Sequence, residues 1–143
     1  MSAQGNVNAF AHYPLIASAF VADFYNKMSR NRAEVVNLYH PEAMMTYEGE
    51  EYFRRDKVSE KLAKLQFSSC EFRAQTFDAH PVSANQIFVM ITGMLLVDGE
   101  TNPTRFAQFL TLEVYDFVPP RSEAELGVVS ALIRNDIFRL NYG

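Results

Sequence analysis

Ile87-Phe-Val-Met-Ile-Thr-Gly-Met-Leu-Leu-Val97, then Asp98-Gly-Glu-Thr-Asn-Pro103, then Thr104-Arg-Phe-Ala-Gln-Phe-Leu-Thr-Leu112 is the stretch whose reading decides the fold. It predicts two long strands joined by a short acidic turn region. The first strand is apolar on both faces. Phe88, Met90, Met94 and Leu96 point one way, and Ile87, Val89, Ile91, Leu95 and Val97 the other. Such a run also suits a strand buried in a parallel sheet. The β-branched residues, the turn at Gly99 and the second strand favour an antiparallel hairpin. Pro103 falls where pairing begins, a position a strand tolerates. Both faces of this sheet need cover.

The chain has 143 residues, enough for one domain with a real core. Apolar residues make up 48% and aromatics 13%, which excludes a disordered chain. A formal charge of -4 argues against general nucleic-acid binding and suits a partner with a basic patch. Cys70 is the single cysteine, so no internal disulfide forms and a reducing compartment is expected. The opening residues lack a basic end followed by an apolar stretch, so no signal peptide is expected. No apolar run is long enough to span a bilayer as a helix.

Residues 1–10 are expected to be a loose lead-in to a single domain over 1–143. From Pro14, Ile16, Phe20, Phe24 and Met28 recur every four residues, the period of a helix. Pro14 is expected in its first turn. Asn31 and Glu34 have capping-box spacing and open a second helix carrying Val35, Leu38 and Tyr39, stopped by Pro41. Ala43 to Tyr47 reads as a short strand, and Glu48-Gly-Glu50 as a turn. Asp56 is expected to cap a third helix, with Val58, Leu62 and Leu65 inward and Lys57, Glu60, Lys61 and Lys64 outside. Cys70–Phe77 is the next strand and 78–85 a turn region. Asp116–Gly127, with Pro119-Pro120, reads as a solvated loop. Val128–Tyr142 is the last strand. Helices followed by an antiparallel sheet make an α+β fold. Three short helices cover one face of a bent sheet but not both. The remaining apolar face implies a homodimer packed sheet against sheet.

Met90-Ile-Thr-Gly-Met-Leu-Leu-Val-Asp98, Asn102-Pro-Thr-Arg-Phe-Ala-Gln108 and Asn135-Asp-Ile-Phe-Arg-Leu-Asn-Tyr142 resemble the nuclear transport factor 2 family. Thr46-Tyr-Glu-Gly49 and Glu60-Lys-Leu-Ala-Lys-Leu-Gln-Phe67 fit the same family, and the likeness runs from about Ala19 to the end. The resemblance implies a cone: a strongly bent antiparallel sheet wrapped around three helices and dimerised through its outer face. It implies a carrier that binds the GTPase Ran in its GDP form and brings it into the nucleus, passing between cytoplasm and nucleus and concentrating at the nuclear pore. A Phe from Ran's switch II region would enter an apolar cavity walled by Tyr47, Leu65, Phe67, Ile137, Phe138 and Leu140. An acidic rim of Glu48, Asp98 and Glu100 would pair with basic residues of Ran. Phe-x-Phe-Gly nucleoporins would bind shallow apolar grooves near the dimer interface, with Tyr13 contributing. Tyr47 stands where the family often has Trp, Glu100 where Asp is usual, and Thr104 where the rim is often apolar.

Apart from the resemblance, Glu48, Asp98 and Glu100 read as turn acids, and Phe67, Ile137, Phe138 and Leu140 as core. Asp136 reads as a structural acid, with Arg139 as its candidate partner. His12, His40, His80 and Cys70 show no metal-ligand spacing, and no cofactor or catalytic residue is expected. Two other readings remain open: a heterodimer subunit of an mRNA-export receptor, and a small-molecule isomerase or dehydratase on the same fold. The enzyme would need a carboxylate or His inside the pocket with a perturbed pKa.

Overall fold

The longest helix, α1 (Ala9–Arg30), begins ahead of the expected Pro14. In the computed structural model, which describes residues 7–65 and 70–141, the Asn8 side chain accepts from Phe10 N–H at 3.2 Å. Ala9 N–H donates to the Ala84 carbonyl at 2.8 Å, and Ala9 is fully buried. These ties start the helix early and leave Pro14 inside it. The fourfold spacing holds: Ile16, Phe20, Phe24 and Met28 are all buried.

Arg32–Val35 forms a one-turn α2, and Arg55–Ala63 forms α3. Asn31 precedes α2 but makes no side-chain cap bond, so the expected capping box is not formed. Arg54, at φ +81°, rather than Asp56, stands at the cap of α3. The strands are β1 (Tyr39–Tyr47), β2 (Glu50–Phe53), β3 (Cys70–Ser83), β4 (Gln86–Val97), β5 (Thr104–Val118) and β6 (Val128–Asn141).

They form one sheet in the order β2-β1-β6-β5-β4-β3. The expected antiparallel sheet holds in every pairing but one, β1 running parallel to β6. Local patterning carries no signal for that pairing, which joins segments about ninety residues apart. The expected Glu48-Gly-Glu50 turn overlaps β2 only at Glu50, and no strand is expected over 51–53. β2 holds two acids and turns only Tyr52 inward, too little alternation to mark a strand. β3 continues through the expected 78–85 turn region to Ser83. Likewise β5 runs on to Val118, so the loop shrinks to 119–127. Ladder irregularities at Ala74/Thr76 and Val114/Asp116 add the local twist that bends long strands.

The β4 alternation is borne out. Ile87, Val89, Ile91 and Leu95 are buried against the helices, with Gly93 among them. The neighbouring strand Phe106 crowds Gly93, where a Cβ would lie 2.2 Å from the Arg73 carbonyl and 2.9 Å from the Phe106 ring. The other face is open. Ladder registers align Met90, Phe109 and Ile137 in one row across β4, β5 and β6. Met90 is 52% exposed and Ile137 48%.

Candidate functional site

The two turns that carry the acids lie at the same end of the sheet. β1 turns into β2 through Glu48 (φ +52°) and Gly49 (φ +86°), with Tyr47 paired to Glu50. β4 turns through Asp98 (φ +38°) and Gly99 (φ +77°), closed by Glu100 N–H donating to the Val97 carbonyl at 2.8 Å. Left-handed conformation at both central residues matches the twist of the flanking strands and suits Asp-Gly. The registers Tyr47 to Phe138, Phe106 to Leu140, Leu95 to Thr104 and Cys70 to Val97 bring the two turns to one mouth.

Aromatic rings fill the sheet side of this mouth. Tyr47 stacks on Phe138 with centroids 4.8 Å apart and planes 9° from parallel. Phe138 also stacks on Phe106 at 5.4 Å and meets Phe72 edge-on at 6.4 Å. Leu65, just beyond α3, and Leu140 are half-buried against the same core. Phe67 lies outside the described residues.

Ile137 does not join them. Its neighbour Phe138 faces the helices, so strand alternation turns Ile137 to the open outer face, in the row with Met90 and Phe109. The expected wall position for Ile137 is therefore corrected to the outer sheet surface. Tyr13 sits at the opposite end, near the β3–β4 turn that anchors α1.

The three acids are not equivalent. Asp98 and Glu100 are exposed in their turn. Glu48 donates its N–H to the Phe138 carbonyl at 3.0 Å, and its carboxylate accepts the Leu140 N–H. It extends the β1–β6 ladder with its side chain and so has a structural task as well as a charge. Glu50, not anticipated as part of the site, brings another acid to this end and lies 3.9 Å from the Lys61 ammonium. Lys61 itself is corrected from its expected outward position. α3 turns it toward β1 and β2, leaving its side chain 19% exposed over Tyr47.

Deeper in the cone lies a closed polar chain that sequence spacing did not show. Tyr25 donates to the Gln108 carbonyl oxygen at 2.6 Å. The Gln108 amide donates to one Asp136 oxygen at 2.8 Å, and the Tyr39 hydroxyl to the other at 2.6 Å. Asp136 is 1% exposed. Burial pushes its carboxyl up to about 6, with the hydrogen bonds from Gln108 and Tyr39 pulling the other way. Burial, followed by the nearby Asp136 charge, raises both tyrosine hydroxyls well above their ordinary value. Arg139 is not its partner: it pairs with Ala107 on the outer face. Both Asp136 oxygens are engaged in hydrogen bonds within the chain. Among the described residues no group of three or more His, Cys, Asp or Glu side chains could hold a metal ion.

The nuclear transport factor 2 (NTF2) domain matches residues 16–116. The chain belongs to the nuclear transport factor 2 family. It is 38% identical over 128 residues to the nuclear transport factor 2 of Candida glabrata, covering 89% of this chain and 93% of that protein. The solved nuclear transport factor 2 of Cryptosporidium parvum superposes with a TM-score of 0.74 at 26% identity, covering 94% of this chain and 98% of that one. A putative scytalone dehydratase from Novosphingobium aromaticivorans shares the fold alone, at 11% identity and a TM-score of 0.62, over 90% of this chain and 84% of that one. Family membership gives this protein a nuclear transport function and accounts for the bent, unclosed sheet around three helices.

Proposed function

We propose that this protein is a nuclear import carrier that binds Ran in its GDP form and Phe-x-Phe-Gly nucleoporins, acting as a homodimer without chemistry of its own. The observation that carries the reading is one mouth holding both the apolar wall of Tyr47, Phe138 and Leu140 and the Asp98–Glu100 turn. A Phe side chain buried there is worth about 1.5–3 kcal/mol. Exposed ion pairs contribute roughly 0–1 kcal/mol each. The cavity therefore supplies most of the affinity, and the acids supply orientation and encounter rate. Nucleotide choice follows if only the GDP form presents its switch II Phe. Phe67 remains a proposed wall residue alongside Leu65.

The homodimer reading rests on the open outer face, where Met90, Phe109 and Ile137 form an apolar row that the helices leave uncovered. Nucleoporin repeats need weak, fast contacts. Tyr13 is the proposed contributor. This role places the protein between cytoplasm and nucleus, concentrated at the pore. The nuclear transport factor 2 relatives support the non-enzymatic reading.

The test is binding to Ran loaded with GDP or with a non-hydrolysable GTP analogue, using the wild type and the double variant Asp98→Asn/Glu100→Gln. Both positions are exposed, whereas the Glu48 carboxylate also accepts the Leu140 N–H. Binding to the GDP form only, weakened by the double variant, is expected. No binding to either form would overturn the carrier role and favour the export-receptor subunit.

A further inference from the structure

Lys61 occupies an unusual place for a lysine. Its ammonium lies 4.9 Å from the Tyr47 ring centroid and 5.7 Å from that of Tyr52, within range of cation–π attraction. Its side chain is 19% exposed, while its ion-pair partner Glu50 is 71% exposed at 3.9 Å. An exposed carboxylate contributes little to holding a flexible side chain in one place. The two rings are the stronger attraction.

Strand order places these contacts around Tyr47. β1 lies between β6, which supplies Phe138, and β2, which supplies Tyr52 and Glu50. Phe138 covers the Tyr47 ring from the β6 side at 4.8 Å, and Lys61 covers it from the β2 side. Both faces of Tyr47 are taken. Leu65 follows just beyond the end of α3 and is half-buried against the core.

We propose that Lys61 is a positioning residue of the mouth, clamping Tyr47 against Phe138 so that an incoming aromatic side chain meets Tyr47 edge-on. This deepens, and for its binding arm rests on, the Ran-binding reading. The clamp has an electrostatic consequence. Lys61 offsets Glu50 and repels a basic group approaching over Tyr47, which leaves the Asp98–Glu100 turn as the attractive side of the rim. A partner's basic residues are thereby oriented toward β4–β5 while its aromatic enters beside Tyr47.

The chain contains no Trp, so Tyr47→Trp introduces a single indole reporter. In that background Lys61→Met and Lys61→Arg are compared by emission and anisotropy. Loss of the cation in Lys61→Met is expected to shift the emission and lower the anisotropy, and Lys61→Arg to keep both near the parent. On the Tyr47 background, Lys61→Met is expected to weaken Ran-GDP binding roughly three- to tenfold, with rescue by Lys61→Arg. A matching thermal midpoint for the two lysine variants separates positioning from unfolding. An indole indifferent to Lys61→Met, or unchanged Ran affinity in a chain that binds Ran, would overturn the clamp. Absence of Ran binding by the wild type would instead overturn the carrier reading, and the indole would still decide the clamp.

Discussion

Asp136→Asn separates the charge of the buried network from its shape. Asp136 is fully buried with its carboxyl raised from an ordinary 3.8 to about 6. The folded state therefore holds the proton more tightly than the unfolded chain. Its contribution favours folding below about pH 4, is lost as pH rises toward 6, and stays lost above that. At about 1.36 kcal/mol per pH unit, the loss amounts to about 3 kcal/mol between acid and neutral pH. Asparagine keeps the volume and an acceptor for the Tyr39 hydroxyl. Its NH2 faces the Gln108 amide, which must turn over and give up the acceptor that Tyr25 uses. That rearrangement costs about 1 kcal/mol at any pH. The variant should therefore be less stable than the wild type by about 1 kcal/mol near pH 4 and more stable by about 2 kcal/mol at pH 7. Urea titrations at pH 4, 5, 6 and 7, at one protein concentration because the proposed dimerisation would be linked to stability, measure the difference. An offset that stays constant with pH would refute the reasoning. An offset that worsens toward pH 7 would show that the Tyr39 and Gln108 hydrogen bonds outweigh burial and hold the carboxyl low.

Three further outcomes follow from particular contacts. Ile137→Asp places a charge in the outer apolar row and should give monomers in sedimentation velocity with an unchanged far-ultraviolet spectrum; a persistent dimer would remove that face from the interface. Gly93→Ala should lower stability in urea by about 1–3 kcal/mol, because its Cβ meets the Arg73 carbonyl and the Phe106 ring rather than space. Glu48→Gln keeps an acceptor for the Leu140 N–H and should unfold with the wild type, whereas Glu48→Lys should lose about 1 kcal/mol. Equal midpoints for the two Glu48 variants would show that the ladder bond contributes nothing.

Much of this protein was legible in its residues. The fourfold spacing from Ile16 to Met28 and the alternation from Ile87 to Leu95 are local periodicities, and burial follows them because a helix or strand presents its faces at those repeats. The doubly apolar β4 marked an outer apolar face that the helices leave uncovered. Asp98-Gly99 and Glu48-Gly49 marked turns through the conformations they tolerate. The parallel β1–β6 pairing was decided only by the tertiary structure, because it depends on loop closure over much of the chain rather than on neighbours in sequence. That pairing sets which residues of β6 stand beside Tyr47, and so sends Phe138 into the mouth and Ile137 outward. The seat of Lys61 over Tyr47 and the bonding of Asp136 to Tyr39 and Gln108 have the same origin. A charged residue's sequence position gives its helix or strand, but its environment is set by whichever distant elements pack against it.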